Sequence, residues 1–297
     1  MRLLVSAFLA WIALSPFSAG AQVCGGSPED LCQVASGQYR ITLPKGPGPH
    51  KAMVWLHGWG GSANGVMRNK GMIRNLTERG YALIAPDGVI TSNRYKNKNW
   101  AVNDGRNYER NDVNFMQEIV SDVVARHGID RDRIVLGGFS RGGSMVWDVA
   151  CRAPGLARGY APVAGAFWEP MWEQCEAPVD LFHTHGWTDR TVPLEGRPLG
   201  GGTMTQGDVF QSLYILRATN GCVNRQPEEA PLSDAQDRWF RSWSDCDGGR
   251  RIDLMLHPGG HGIPKGWLNQ TLDWFEARLA EDCVSQLPQT GIAQSCG

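Results

Sequence analysis

The sequence predicts an α/β fold with a mainly parallel central sheet and helices on both faces. Two observations carry this. Short continuous apolar runs recur along the chain, as strands buried on both faces require. Between them, apolar residues recur at helical spacing. Buried strands alternating with helices imply parallel pairing, because parallel neighbours are joined by a crossover that is usually helical.

The elements follow in order. Residues 37–43 (GQYRITL) alternate like a half-buried strand. Residues 52–56 (AMVWL) are an unbroken apolar run, and 81–85 (YALIA) and 133–138 (RIVLGG) look the same. Residues 179–185 (VDLFHTH) and 251–256 (RIDLML) are similar. Val113, Met116, Ile119, Val120 and Val123 keep helical spacing, with Asn111 or Asp112 as N-cap. The run MVWDVACRA after Ser140 and residues 267–281 also suit helices. Two stretches break the rhythm: 88–111 is polar and basic, and 194–207 is rich in glycine. Both follow strand ends, where open α/β sheets bind their ligands. Long loops in compact domains are usually functional or disordered, and a solvated surface loop is the rival reading of each stretch.

The N-terminus has the layout of a secretory signal peptide: Arg2, an apolar run from Leu3 to Leu14, and the small residues Ala19-Gly20-Ala21. The expectation is export, with cleavage after Ala21 and a single catalytic domain over 22–297. A retained anchor is the rival reading, but the run is too short to span a bilayer comfortably. A net charge of −1 gives no reason to expect nucleic acid or a membrane surface as partner. The eight cysteines fit an oxidising compartment. Paired with their neighbours, they suggest Cys24–Cys32, Cys151–Cys175, Cys222–Cys246 and Cys283–Cys296. No C-x-x-C occurs, and His183 and His185 share a strand face without a third ligand set, so neither metal nor cofactor is expected.

The stretch GGFSRGGSM (137–145) carries the chemistry. With 37 glycines and 16 serines, a G-x-S-x-G match arises by chance about a quarter of the time, so the motif alone is weak. Its context is stronger. An apolar strand ends just before Ser140 and a helical pattern follows, the setting of a nucleophile elbow. A serine hydroxyl needs a base to take its proton. His261, in HPGGHGIP, sits on a Gly/Pro-rich loop free to reach the elbow; His257 is the alternative. Asp189, in HTHGWTDRTVP, follows a strand end and precedes His261, in the order Ser, acid, His. An oxyanion would be met by the backbone N–H of Arg141 and by a second N–H from HGWGGSA (57–63), best Trp59, with Gly58 and Gly60 as alternatives. Trp59, Trp100 and Trp187 are candidate walls of a substrate site, with Trp168 and Trp172 also in reach, although core packing is the commoner fate of a tryptophan.

LHGWGGSA, APDG, NDVNFMQEIV, GGFSRGGSM, HGWTDRTVP and GGHGIP occur in that order. Together they resemble secreted α/β-hydrolases of the polyhydroxybutyrate depolymerase and feruloyl esterase group, esterase family 1. The likeness covers about residues 36 to 280. It implies the α/β-hydrolase fold, a Ser140–Asp189–His261 triad with Trp59 and Arg141 as oxyanion donors, and a structural role for Asp112. It also implies hydrolysis of feruloyl-type polysaccharide esters or short hydroxybutyrate esters. Gly262 and Ile263 follow His261 where many relatives carry tryptophan. A serine peptidase would use the same machinery, and a non-catalytic binding protein could share the scaffold. The intact Ser, Asp and His set argues against the latter.

Overall fold

A computed structural model describes residues 24–90, 97–222, 226–228 and 237–286. The expected signal peptide with its cleavage point lies outside the described residues, as does Cys296. Strands β1 (Cys32–Val34), β2 (Gly37–Thr42) and β3 (His50–Leu56) come first, then helices α1 (Ala63–Met67) and α2 (Lys70–Glu78) and strand β4 (Tyr81–Pro86). Short strands β5 (Val89–Ile90) and β6 (Lys98–Asn99) precede α3 (Asp112–His127), β7 (Ile129–Phe139), α4 (Arg141–Arg152), β8 (Gly159–Val163) and β9 (Leu181–Gly186). The chain continues through β10 (Arg197–Leu199), β11 (Met204–Gln206), α5 (Val209–Thr219), β12 (Trp239–Trp243), β13 (Ile252–His257) and α6 (Trp267–Gln286).

Nine strands form one sheet in the order β1-β2-β4-β3-β7-β8-β9-β13-β12. The six from β4 to β13 are parallel, and antiparallel strands finish both edges. Successive side chains of a strand face opposite ways. Ala52, Val54 and Leu56 of β3 accordingly pack with residues of α3 and α4, while Met53 and Trp55 pack with Leu76 of α2 and Leu272 and Phe275 of α6. This is the α/β-hydrolase architecture. Helix α3 starts where the sequence suggested: Asn111 Oδ1 accepts the N–H of Asn114 at 3.1 Å, and Asp112 is the first helical residue. No described helix is long and apolar enough to cross a membrane.

Some elements departed from expectation. Strand β8 (GYAPV) contains Pro162, which has no N–H to give to a ladder. Its pairing with β9 is registered only at Tyr160↔Leu181 and Val163↔Thr184, on either side of that proline. The two stretches expected as loops each hold a two-stranded antiparallel ribbon, β5–β6 and β10–β11. Cys24–Cys32, Cys151–Cys175 and Cys222–Cys246 are bridged as expected. Cys283 is also in a disulfide.

Candidate active site

Ser140 stands between the last residue of β7 and the first of α4, with φ 57° and ψ −122°. A non-glycine residue at positive φ is held there only when its surroundings over-determine it. Here its N–H donates to Val163 O at 2.9 Å, and its C=O accepts from Ser144 N–H at 2.9 Å. The turn is crowded on both sides. A Cβ at Gly142 would lie 2.3 Å from Leu56 O, and one at Gly138 would lie 2.5 Å from Gly142 O. These glycines let β3, the elbow and α4 meet at van der Waals distance.

His261 follows β13 and brings its ring to the serine: Nε2 is 2.9 Å from Ser140 Oγ, and Nδ1 is 2.7 Å from Asp189 Oδ2. An ionised carboxylate only accepts, so Nδ1 carries the proton and Nε2 is free to take one from the hydroxyl. Asp189 lies in the turn after β9. Its Oδ1 accepts the N–H groups of Thr191 (2.8 Å) and Val192 (2.9 Å). Burial pushes this carboxyl up, but the His261 and backbone hydrogen bonds outweigh it and hold it below its ordinary value. His185 buttresses the turn, its Nε2 donating to Val192 O at 2.8 Å. His257 is not brought to Ser140. Its Nδ1 accepts Gly259 N–H at 3.1 Å, and burial keeps it neutral by lowering its pKa.

The loop after β3 lies against the elbow, where a Cβ at Gly58 would sit 3.4 Å from Ser140 Cβ. His57 shapes this loop. Burial lowers its pKa, and the neutral ring donates from Nδ1 to Gly58 O (2.8 Å) while Nε2 accepts Gly88 N–H (3.0 Å). Gly61 N–H donates to the same Gly58 O. A trans peptide sets N–H opposite C=O, so the Trp59 N–H points away from these partners. Among the described residues, neither it nor the Arg141 N–H has an acceptor. The chain thus offers two unspent donors beside a serine with a base.

The Arg141 side chain does something else. It is buried, with Nη2 2.6 Å from Asp104 Oδ2, 2.8 Å from Tyr108 OH and 3.1 Å from Trp100 O. Its guanidinium lies 4.4 Å from the Trp168 ring centre. It therefore pins the segment after β6 onto α4. Asp112 pins the same segment, accepting Ala101 N–H at 2.6 Å and Arg110 Nε–H at 2.5 Å.

Residues 38–199 match the profile of the phospholipase/carboxylesterase family. This chain belongs to that family. It is a carboxylesterase-type hydrolase. Among curated relatives, feruloyl esterase C of Emericella nidulans is 25% identical over 281 residues, covering 89% of this chain and 92% of that one. A Nocardia uniformis subsp. tsuyamanensis protein described as an esterase, NocK, is 27% identical over 229 residues, 71% of this chain and 64% of its own length. The acetyl xylan esterase of Aspergillus awamori shares the fold at a TM-score of 0.60 and 16% identity, covering 82% of this chain and 98% of that one.

In this carboxylesterase a cleft of about 550 Å³ opens at Ser140. Trp59 lines it and is 58% exposed. Trp100, expected as a wall, is instead fully buried, donating its indole N–H to His57 O at 2.7 Å beneath the loop. Trp187, also expected there, is exposed but is not part of the cleft lining. The sequence reading missed most of the far wall: Arg197, Leu199, Met204 and Gln206, all from the β10–β11 hairpin. The signals were the glycine-rich break in the strand–helix rhythm and its place after a strand end.

Proposed function

We propose that this protein is a secreted serine ester hydrolase that works through an acyl-enzyme on Ser140. The observation that carries the reading is the continuous hydrogen-bond chain Ser140–His261–Asp189 at the mouth of the cleft. In the proposed cycle His261 Nε2 takes the Ser140 proton as Oγ bonds to the ester carbonyl carbon. The oxyanion meets the Trp59 and Arg141 N–H groups. Collapse breaks the carbon–oxygen bond to the alcohol, which leaves with the proton from His261. Water, deprotonated by the same nitrogen, then releases the acid and restores the serine. The mature domain begins at Gln22, and its disulfides fit an extracellular or periplasmic site. Feruloyl or acetyl groups on polysaccharide are the favoured esters, because relatives and fold neighbours carry those activities in their names. Hydroxybutyrate oligomers are the second class to assay.

The test compares the mature protein with Ser140→Ala on a short-chain nitrophenyl ester, methyl ferulate, a hydroxybutyrate oligomer and a peptide amide. The expected outcome is ester turnover that Ser140→Ala abolishes. Equal, slow rates for both proteins on every substrate would reject the reading, and turnover of the amide alone would make the protein a peptidase.

A further inference from the structure

The cleft beside Ser140 has an unusual charge balance for a protein of net charge −1. Three arginines line it, Arg106, Arg141 and Arg197, and among the described residues no acidic side chain does. Arg106 and Arg141 share one carboxylate, each placing Nη2 2.6 Å from Asp104 Oδ2. Arg197 makes no ion pair with any described carboxylate. Glu195, two residues before it and just ahead of the hairpin, is exposed and makes no ion pair with it. What Arg197 does have is a neutral brace. Gln206, its registered cross-strand partner, is buried and accepts Arg197 Nε–H at 3.2 Å. That spends one donor and orients the fork, leaving both Nη groups for an end-on partner. A guanidinium held in this way matches a carboxylate with two parallel hydrogen bonds.

We propose that Arg197 anchors a carboxylate carried by the substrate, so that this esterase favours esters bearing a negative charge, such as uronate-linked esters or oligomers with a free acid end. The inference rests on Ser140 being the nucleophile of the same cleft. A guanidinium that merely ties the hairpin together would affect charged and neutral esters alike, which separates the two roles.

The experiment measures kcat/KM for two matched pairs. One carries the charge on the acyl side (4-nitrophenyl monoadipate against 4-nitrophenyl hexanoate), the other on the alcohol side (4-acetoxybenzoate against 4-tolyl acetate). The expected result is that Arg197→Gln lowers the charged-to-neutral ratio about tenfold or more in one pair, which identifies the side, as loss of a charge-assisted hydrogen bond would. Arg197→Lys should recover part of the ratio, and added salt should lower it in the wild type. An unchanged ratio in both pairs, or an equal fall for both members, would overturn the inference. Binding keeps it separable from the serine chemistry. Ser140→Ala should bind adipate or 4-hydroxybenzoate, and Ser140→Ala/Arg197→Gln should bind it at least tenfold more weakly. Absence of turnover with that binding difference intact would reject the esterase reading and leave the anion site standing; equal binding by the two variants would reject the site.

Discussion

Replacing Arg141 with alanine separates the two jobs that this residue holds. The backbone N–H survives; the side chain does not. Its ion-pair side chain is 5% exposed and that of its partner Asp104 is 0% exposed. Breaking a buried pair by removing one member typically costs ~3–5 kcal/mol, because the remaining charge is stranded. Asp104 would not be fully stranded, since Arg106 and Tyr108 still donate to it. That argues for the lower end, about 3 kcal/mol, including about 1 kcal/mol from the contact with Trp168. With unfolding entropy near 2.1 cal/mol/K per residue over the mature residues 22–297, the melting temperature should fall by about 5 °C. A double-mutant cycle with Asp104→Asn should return a coupling of about 1–3 kcal/mol. Turnover should change less, with kcat falling under about tenfold, against ~10² to 10³ for loss of an oxyanion donor. Thermal melts and ester kinetics on the same preparations check both parts. A hundredfold loss of kcat with an unmoved melting temperature would refute the division, since the side chain would then act in the reaction. An unmoved melting temperature with normal kcat would refute the structural part.

Two further outcomes are expected. Asp189→Asn should leave the fold and melting temperature nearly intact but lower kcat by about 10³- to 10⁴-fold, because an amide cannot hold the His261 tautomer; a loss under tenfold would remove Asp189 from the mechanism. Asp148 supplies a pH test: burial pushes its carboxyl up to about 6, despite hydrogen bonds from Trp172 Nε1 and Asn103 N–H. Between pH ~4 and ~6 the folded protein therefore holds a proton that the unfolded chain has released, so this group makes stability fall as pH rises through that window, by about 2–3 kcal/mol. Urea midpoints of wild type and Asp148→Asn across that range should diverge by that slope, and parallel curves would contradict it.

The parts of the fold that were legible in the sequence are those where burial leaves a local mark. The apolar runs at 52–56, 81–85 and 133–138 lie within strands β3, β4 and β7, since a strand covered on both faces has no polar alternation to hide it. Strand β8 was illegible because Gly159 and Pro162 read as turn residues, and only the gap in its ladder to β9 shows how the proline is tolerated. Strand β12 (WFRSW) mixes charge with aromatics as an edge strand does, and gives no continuous run. Trp100 shows the opposite failure. Expected as a wall of the substrate site, it lies instead with its indole under the β3 loop.

The same contrast divides the site. Ser140, Asp189, His261 and the Trp59 loop each follow the C-terminal end of a strand: β7, β9, β13 and β3 respectively. Strands end at fixed places, so a short motif beside each apolar run was enough to nominate these residues separately, and the sheet order then brings them together. The cleft wall has no such shortcut. Arg197 and Gln206 face each other only because the glycine-rich stretch closes into a hairpin, and Trp168 joins that wall through a bridge to Gln206. Nothing within a few residues of Arg197 announces this pairing. The chemistry of this carboxylesterase is therefore written in local motifs at strand ends. The proposed charge selectivity at Arg197 rests instead on side chains that become neighbours only in three dimensions, which is why it has to be argued from the structure.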